Sequence, residues 1–238
     1  LMMRRVRFEG RDLLPIALLG IGQFGILIAL LNYGLQFINS GLAALLFATF
    51  PLMTMMLAAI LRLEALTLAK SLGVLLSIVG IGFAVSDRLA LPGQAETLLP
   101  GVLAVLGAAF TGALCSVFYR PYLKKYPPLQ VSVFAMLASV LFLAFPAAGE
   151  GFFAAIPQFS PAGWWAVLFI GLASSLGYYT WLYALKHATP TRVALFLSLG
   201  PVVATLLGAA MLGEAVSGIF LTGLAAVIAG LWVAHLPG

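Results

Sequence analysis

The feature that constrains this chain most is a succession of apolar runs, each about 20 residues long, separated by short polar connections. A run of that length at 1.5 Å per residue matches the roughly 30 Å of hydrocarbon in a bilayer. Eight such runs can be placed, near 13–35, 41–61, 68–86, 100–119, 129–148, 163–185, 192–212 and 217–236. The runs lack two-residue alternation and are rich in Leu, Ala and Gly. A segment in lipid must also satisfy its own backbone hydrogen bonds, so helices are expected and strands are not. The expected fold class is an all-α polytopic membrane protein with eight transmembrane helices.

Composition agrees: 63% of the residues are hydrophobic and 8% charged, against about 45–50% and about 25% in soluble domains. The basic balance, Lys+Arg 12 against Asp+Glu 7, does not point to nucleic acid, because the basic residues lie in the loops. With the residues before the first run on the cytoplasmic side, Arg4, Arg5, Arg7, Arg11, Arg62, Lys70, Arg120, Lys124, Lys125, Lys186 and Arg192 all fall inside and Arg88 alone outside. Lys and Arg resist translocation, so this 11 to 1 split orients the chain with residues 1–12 and the C-terminus cytoplasmic. The first run is longer than a signal-peptide core and no A-x-A-like site follows it, so it counts as a span. Cys115 stands alone, which excludes an intramolecular disulfide or a cysteine-based metal site.

The chain also resembles itself. A register of 150 residues links 13–86 to 163–236 without gaps, pairing Tyr33 with Tyr183, Pro51 with Pro201, Glu64 with Glu214, Thr67 with Ser217, Gly73 with Gly223 and Gly80 with Gly230. The charge asymmetry gives the two copies opposite topology. Inverted repeats of this kind build many secondary transporters, with the substrate site near the midplane between them. Spans 100–119 and 129–148 have no counterparts. If they open the second repeat, each repeat has five helices and the chain corresponds to the last eight of a ten-helix parent. The expected domains are an incomplete three-helix repeat over 1–88, a periplasmic linker over 89–99 and a five-helix repeat over 100–238.

The blocks Gly41-Leu-Ala-Ala-Leu-Leu to Pro51 and Leu63-Glu64-Ala-Leu-Thr67 with Gly73 and Gly80 recur as Arg192-Val-Ala-Leu to Pro201 and Gly213-Glu214-Ala-Val-Ser217 with Gly223 and Gly230. They resemble the EamA-type repeats of the drug/metabolite transporter superfamily. The resemblance implies a bacterial inner-membrane permease of ten helices in two inverted five-helix repeats, moving small metabolites or drugs, often outward. The departure from that pattern is the lack of the first two helices. A truncated, non-transporting membrane protein or assembly subunit is the alternative reading.

Proline removes a backbone donor in mid-helix. Pro51 and Pro201 are therefore expected to kink their spans and free the carbonyls of Phe47 and Leu197, as a hinge, as a widening of a midplane cavity, or as packing kinks alone. Glu64 and Glu214 precede the N-caps Thr67 and Ser217 at an interface. There the helix dipole favours a carboxylate, a structural helix-end role rather than a proton relay. Gly73 and Gly80, like Gly223 and Gly230, lie two turns apart on one face, the spacing of close helix packing.

No Asp, Glu, Lys or Arg falls near a midplane, where an ionised residue would be costly and functional. The uncharged polar residues are therefore the substrate-pocket candidates: Gln23, Thr49, Thr111, Ser174, Tyr178, Trp181 and Ser198. For each Ser and Thr the competing assignment is a hydrogen bond to its own helix. Ser174, Tyr178 and Trp181 share one helix face at i, i+4 and i+7. No nucleophile–base set, ligand cluster or nucleotide-binding loop lies in the spans, so neither an enzyme, an ATPase motor, a cofactor nor a metal is expected. The expected partners are a small-molecule solute and the lipid bilayer, with a homodimer as the open assembly.

Overall fold

A computed structural model describes residues 8–63, 65, 67–89, 95–154, 158–195, 197, 200–213 and 216–234. The described residues form helices and connecting turns, with no strand among them. In chain order the helices are α1 (Gly10–Gly20), a π-helical segment (Ile21–Ile26), α2 (Leu27–Gly34), α3 (Ser40–Phe47), α4 (Phe50–Ile60), α5 (Leu68–Leu89), α6 (Ala95–Lys125), α7 (Pro128–Gly149), α8 (Pro161–His187), α9 (Pro190–Leu195), α10 (Gly200–Leu212) and α11 (Gly218–Val233).

Among the described residues, six helical stretches are long and apolar enough to cross a membrane: Gly10–Gly34, Ser40–Ile60, Leu68–Ser86, Leu98–Lys125, Pro128–Gly149 and Pro161–His187. The expected seventh and eighth spans correspond to shorter apolar helices, Gly200–Met211 and Gly218–Val233. In the seventh, α9 covers Pro190–Leu195 and α10 starts at Gly200, with Phe196, Ser198 and Leu199 outside the described residues.

Helix ends follow local chemistry. Ser160 caps α8 by accepting from the Gly163 amide, and Pro161 occupies the first turn, where its missing N–H costs nothing. Thr67 Oγ1 accepts from the Lys70 amide at 3.3 Å and Ser217 Oγ from the Phe220 amide at 3.0 Å, the same cap 150 residues apart. The end of α4 is a left-handed turn at Arg62, φ 56°, with Arg62 N–H donating to the Ala59 carbonyl and Leu63 N–H to the Ala58 carbonyl. Gly213, φ 66°, ends α10 in the same backbone region without a Cβ penalty.

The helices gather into two compact units, Leu1–Gly25 with Phe118–Thr189, and Ile26–Val117 with Pro190–Gly238. In the first, α1 packs on α7 and α7 on α8. The approach of α1 to α7 is backbone to backbone: a methyl group placed on Gly20 would fall on the Ala135 carbonyl. At the start of α1 a polar knot ties the chain to the end of α6. Lys125 Nζ reaches Glu9 Oε1 and Asp12 Oδ2, each at 2.6 Å, and Tyr126 donates its hydroxyl to Asp12 Oδ2 at 2.6 Å while accepting from the Glu9 amide.

The hydrogen bond from Lys125 is the largest cause that holds the Glu9 carboxyl below its ordinary 4.5. A lowered carboxylate pKa contributes stability above the ordinary value and loses it as the pH falls through the lowered one. The melting temperature of the detergent-solubilised protein should therefore fall as the pH drops below about 4.5, and Lys125→Met should make that fall shallower. An identical acid limb in the variant would show that the knot does not form.

The second unit has a core of Leu42, Leu45, Leu46, Met55, Val105, Val227 and neighbouring apolar residues. Its centre is the antiparallel pair of α5 and α11. A methyl group on Gly80 would meet the Gly223 carbonyl oxygen at 2.6 Å, and one on Gly230 would meet the Gly73 carbonyl oxygen at 2.6 Å. Ala234 lies against Gly73 as Ala84 lies against Gly223. Ser77 Oγ donates to the Gly73 carbonyl at 2.9 Å and approaches the Val227 carbonyl at 3.4 Å. Ser77 and Val227 are 150 residues apart. A shift by that number exchanges the contact of Gly73 with Gly230 for that of Gly80 with Gly223, and the Ala234 contact for the Ala84 contact.

Candidate functional site

Two places concentrate polar and irregular structure, one in each unit. In the first unit the span Gly10–Gly34 changes to π-helical geometry over Ile21–Ile26. Gly20, Gly22 and Gly25 remove side chains that would hold a regular helix, and such segments are frequent at functional sites. Gln23 lies in this segment, and its Oε1 is buried with no hydrogen-bond partner among the described residues. Its neighbour Phe24 meets the ring of Tyr178 edge to face, with centroids 4.5 Å apart. Tyr178, 5% exposed, donates its hydroxyl to that of the fully buried Tyr119 at 2.6 Å. On α7, Ser139 is buried, and its Oγ likewise has no partner among the described residues. A methyl group placed on Gly25 would come within 3.6 Å of that oxygen.

In the second unit the helical stretch Ser40–Ile60 is interrupted. α3 ends at Phe47, Ala48 and Thr49 form a turn, and α4 begins with Pro51 in its first turn. Thr49 Oγ1 takes the Leu46 carbonyl at 2.7 Å, and the Thr49 amide takes it as well at 3.0 Å. The segments 150 residues on are α9, to Leu195, and α10, from Gly200; Phe196, Ser198 and Leu199 between them lie outside the described residues. Within the helical stretch Ser40–Ile60 the interruption ahead of Pro51 is a two-residue turn at Ala48 and Thr49, both in right-handed helical backbone, where proline removes the donor to the Phe47 carbonyl. The four pieces interlock within the unit, α3 against α10 and α4 against α9. Thr54 Oγ1 donates to the Phe50 carbonyl at 2.8 Å, and the buried Thr205 Oγ1 has no partner among the described residues.

The predicted pocket residues divide accordingly. Gln23, Tyr178 and Trp181 all belong to the first unit, with Tyr178 and Trp181 one turn apart on α8. Ser174 shares their sequence spacing, yet it is exposed. Thr49 is buried at the break, with its hydroxyl bonded to its own helix. Thr111 Oγ1 donates to the Gly107 carbonyl at 2.8 Å, one turn back on α6. Ser198, Glu64 and Glu214 lie outside the described residues, as do residues 1–7, 90–94 and 235–238. Gly73, Gly80, Gly223 and Gly230 meet across the α5–α11 pair. Trp164 and Trp165, read as interface anchors, are exposed, and Cys115, read as a packing residue, is buried.

Sequence reasoning missed Phe24, Tyr119, Ser139, Ser77 and Thr205. Ser139 and Thr205 are uncharged polar residues deep in apolar runs and carried the signal that marked Gln23. Tyr119 did not, because it sits beside Arg120 at a span end and reads there as an interface residue.

The family model described as the EamA-like transporter family matches residues 1–86 and 99–236. A protein of Streptantibioticus cattleyicolor described as a probable terminal-alkyne amino-acid exporter is 32% identical over 94% of this chain and 74% of its own. An uncharacterized transporter of Archaeoglobus fulgidus is 26% identical over 95% of this chain and 79% of its own. A probable amino-acid metabolite efflux pump of Salmonella typhimurium is 28% identical, with 95% of this chain and 79% of its own covered. A solved crystal structure superposes with a TM-score of 0.70 over 97% of this chain and 79% of its own, at 24% identity, which is a likeness of fold.

Proposed function

Because the chain belongs to the EamA-like transporter family and is a multi-pass membrane protein of that type, we propose that it is a secondary carrier that exports small organic solutes of the amino-acid kind across the bacterial inner membrane. The observation that carries this reading is the interrupted helix α3–α4 ahead of Pro51, packed against α10 and α9, the segments 150 residues on. Discontinuous helices at the junction of inverted repeats are where secondary transporters place their substrate sites, since irregular backbone at membrane depth is tolerated where it lines a cavity. The exchange of equivalent contacts across α5 and α11 supports inverted repeats, because helices related by a two-fold axis in the membrane plane must run antiparallel.

Transport then proceeds by alternating access, one bundle rocking against the other about a midplane site, with the N-terminal residues cytoplasmic as the Lys and Arg distribution requires. The pocket candidates are Gln23, Ser174, Tyr178 and Trp181 in the first unit and Thr49, Thr111 and Ser198 in the second, with Pro51 and Pro201 as the hinge candidates. The amino-acid kind of solute follows from the descriptions of two relatives as amino-acid and amino-acid-metabolite exporters. Reconstituted into liposomes preloaded with a mixture of radiolabelled neutral amino acids, the purified chain should release at least one of them faster than empty liposomes do. Release at the rate of empty liposomes for every amino acid tested would overturn the reading.

A further inference from the structure

We infer that Gln23 is the residue that selects the solute's amino group, its side-chain carbonyl accepting an N–H from a net-neutral zwitterion whose apolar part lies toward Phe24 and Tyr178. The inference rests on the carrier reading above and adds the recognition chemistry. Burying an amide carbonyl with no donor costs roughly 1–3 kcal/mol, and in folded proteins an orphaned buried polar atom calls for a partner that completes it. Gln23 Oε1 is such an atom, and it sits in the π-helical interruption of an otherwise apolar span.

The orphan is an acceptor, so the missing group is a donor. Ser139 Oγ, a second orphan on the helix that packs against Gly25, shows that the deficit is shared by two helices of the unit. The apolar side is defined by Phe24 and Tyr178 in edge-to-face contact, with the Tyr178 hydroxyl already engaged by Tyr119. Apart from Arg11 and Asp12 at its first turn, the span Gly10–Gly34 holds no ionised residue, and neither Phe118–Tyr119 nor the part of α8 around Tyr178 adds one. A solute of net charge would therefore lose its hydration uncompensated, whereas a zwitterion enters with charges that balance each other. An ammonium N–H on a carbonyl is charge-assisted and stronger than a neutral pair.

The test is binding of L-leucine and of its N,N,N-trimethyl betaine to the purified full chain in detergent. Both probes are net-neutral zwitterions with the same side chain, and they differ in whether the nitrogen carries a hydrogen. The wild type should bind leucine at least about tenfold more tightly than the betaine, the worth of one charge-assisted hydrogen bond. Gln23→Met, unbranched and of similar volume, should bind the two alike, and Gln23→Glu, which keeps an acceptor, should retain the preference. Without solute, Gln23→Met should melt no lower than the wild type, because it removes an unpaired acceptor rather than a bonded one.

Equal affinities in the wild type, no binding of leucine, a preference that survives in Gln23→Met, or a lower melting temperature for that variant would each overturn the inference. Failure of the carrier reading looks different. In that case leucine binds with this preference while liposomes containing the protein retain it as empty ones do.

Discussion

Replacing Gly80 by valine is expected to lower the protein's stability by about 3 kcal/mol or more, the upper end of the cost of overpacking, whereas Gly82→Val on the same helix should leave it within about 0.5 kcal/mol. The two positions share helix, depth and residue type. They differ in what a Cβ meets. At Gly80 it would come 2.6 Å from the Gly223 carbonyl oxygen and 2.9 Å from the Val227 amide nitrogen, both backbone atoms that cannot rotate away. At Gly82 nothing lies within 4 Å. The Gly82 variant should even gain slightly, since glycine in a helix is entropically unfavourable.

Gly230→Val should match Gly80→Val in size, because its Cβ would meet the Gly73 carbonyl oxygen at 2.6 Å and the Ser77 amide nitrogen at 2.8 Å. Equal losses at Gly80 and Gly230 would be the energetic counterpart of the 150-residue exchange of contacts. The measurement is the melting temperature of the detergent-solubilised variants, with yield of monodisperse protein as a second reading. A Gly80→Val protein that melts with the wild type would mean that α5 and α11 do not approach as described.

The double variant Pro51→Ala with Pro201→Ala is expected to abolish most solute movement while leaving the protein folded. Each proline lacks the N–H that would otherwise reach the carbonyl four residues back, at Phe47 and Leu197. Alanine restores that donor and is the strongest helix former, so both spans gain a route to continuous helix. If the backbone ahead of these prolines forms the site, restoring the donors should lower the rate of amino-acid release from proteoliposomes at least about tenfold, the consequence of misplacing binding groups by an ångström or more. The melting temperature should hold or rise. Unchanged release from a well-folded double variant would separate the two prolines from transport and sink the assignment of the site to the backbone ahead of them. Single variants are expected to lie between, since each leaves one proline in place.

Much of this was legible in the residues. Six of the eight apolar runs correspond to helical stretches long enough to cross a membrane, because crossing lipid demands a fixed length of apolar helix with every backbone group paired internally. The 150-residue register was legible because Thr67 and Ser217 make the same cap and the four glycines stand where two backbones approach. The position of a cap or a glycine is thus written locally. What the prolines do with their helices was less so. A proline in an apolar run reads as a kink, and the form the kink takes depends on the turn that precedes it, at Pro51 one stabilised by the Thr49 hydroxyl on the Leu46 carbonyl.

The candidate site was legible as a set of residue types and not as a constellation. Gln23, Tyr178 and Trp181 stood out because polar groups are expensive among apolar ones, yet the same reasoning included Ser174, which the fold leaves exposed, and passed over Tyr119 and Ser139. The sequence by itself determined the solvent, the helical class and the internal repeat, since these follow from hydropathy and backbone geometry along the chain. Only the tertiary structure decided which glycines meet, that Phe24 rather than a more distant aromatic faces Tyr178, and that the Gln23 carbonyl is buried without a donor, because pairing depends on what the neighbouring helices bring within 3 Å.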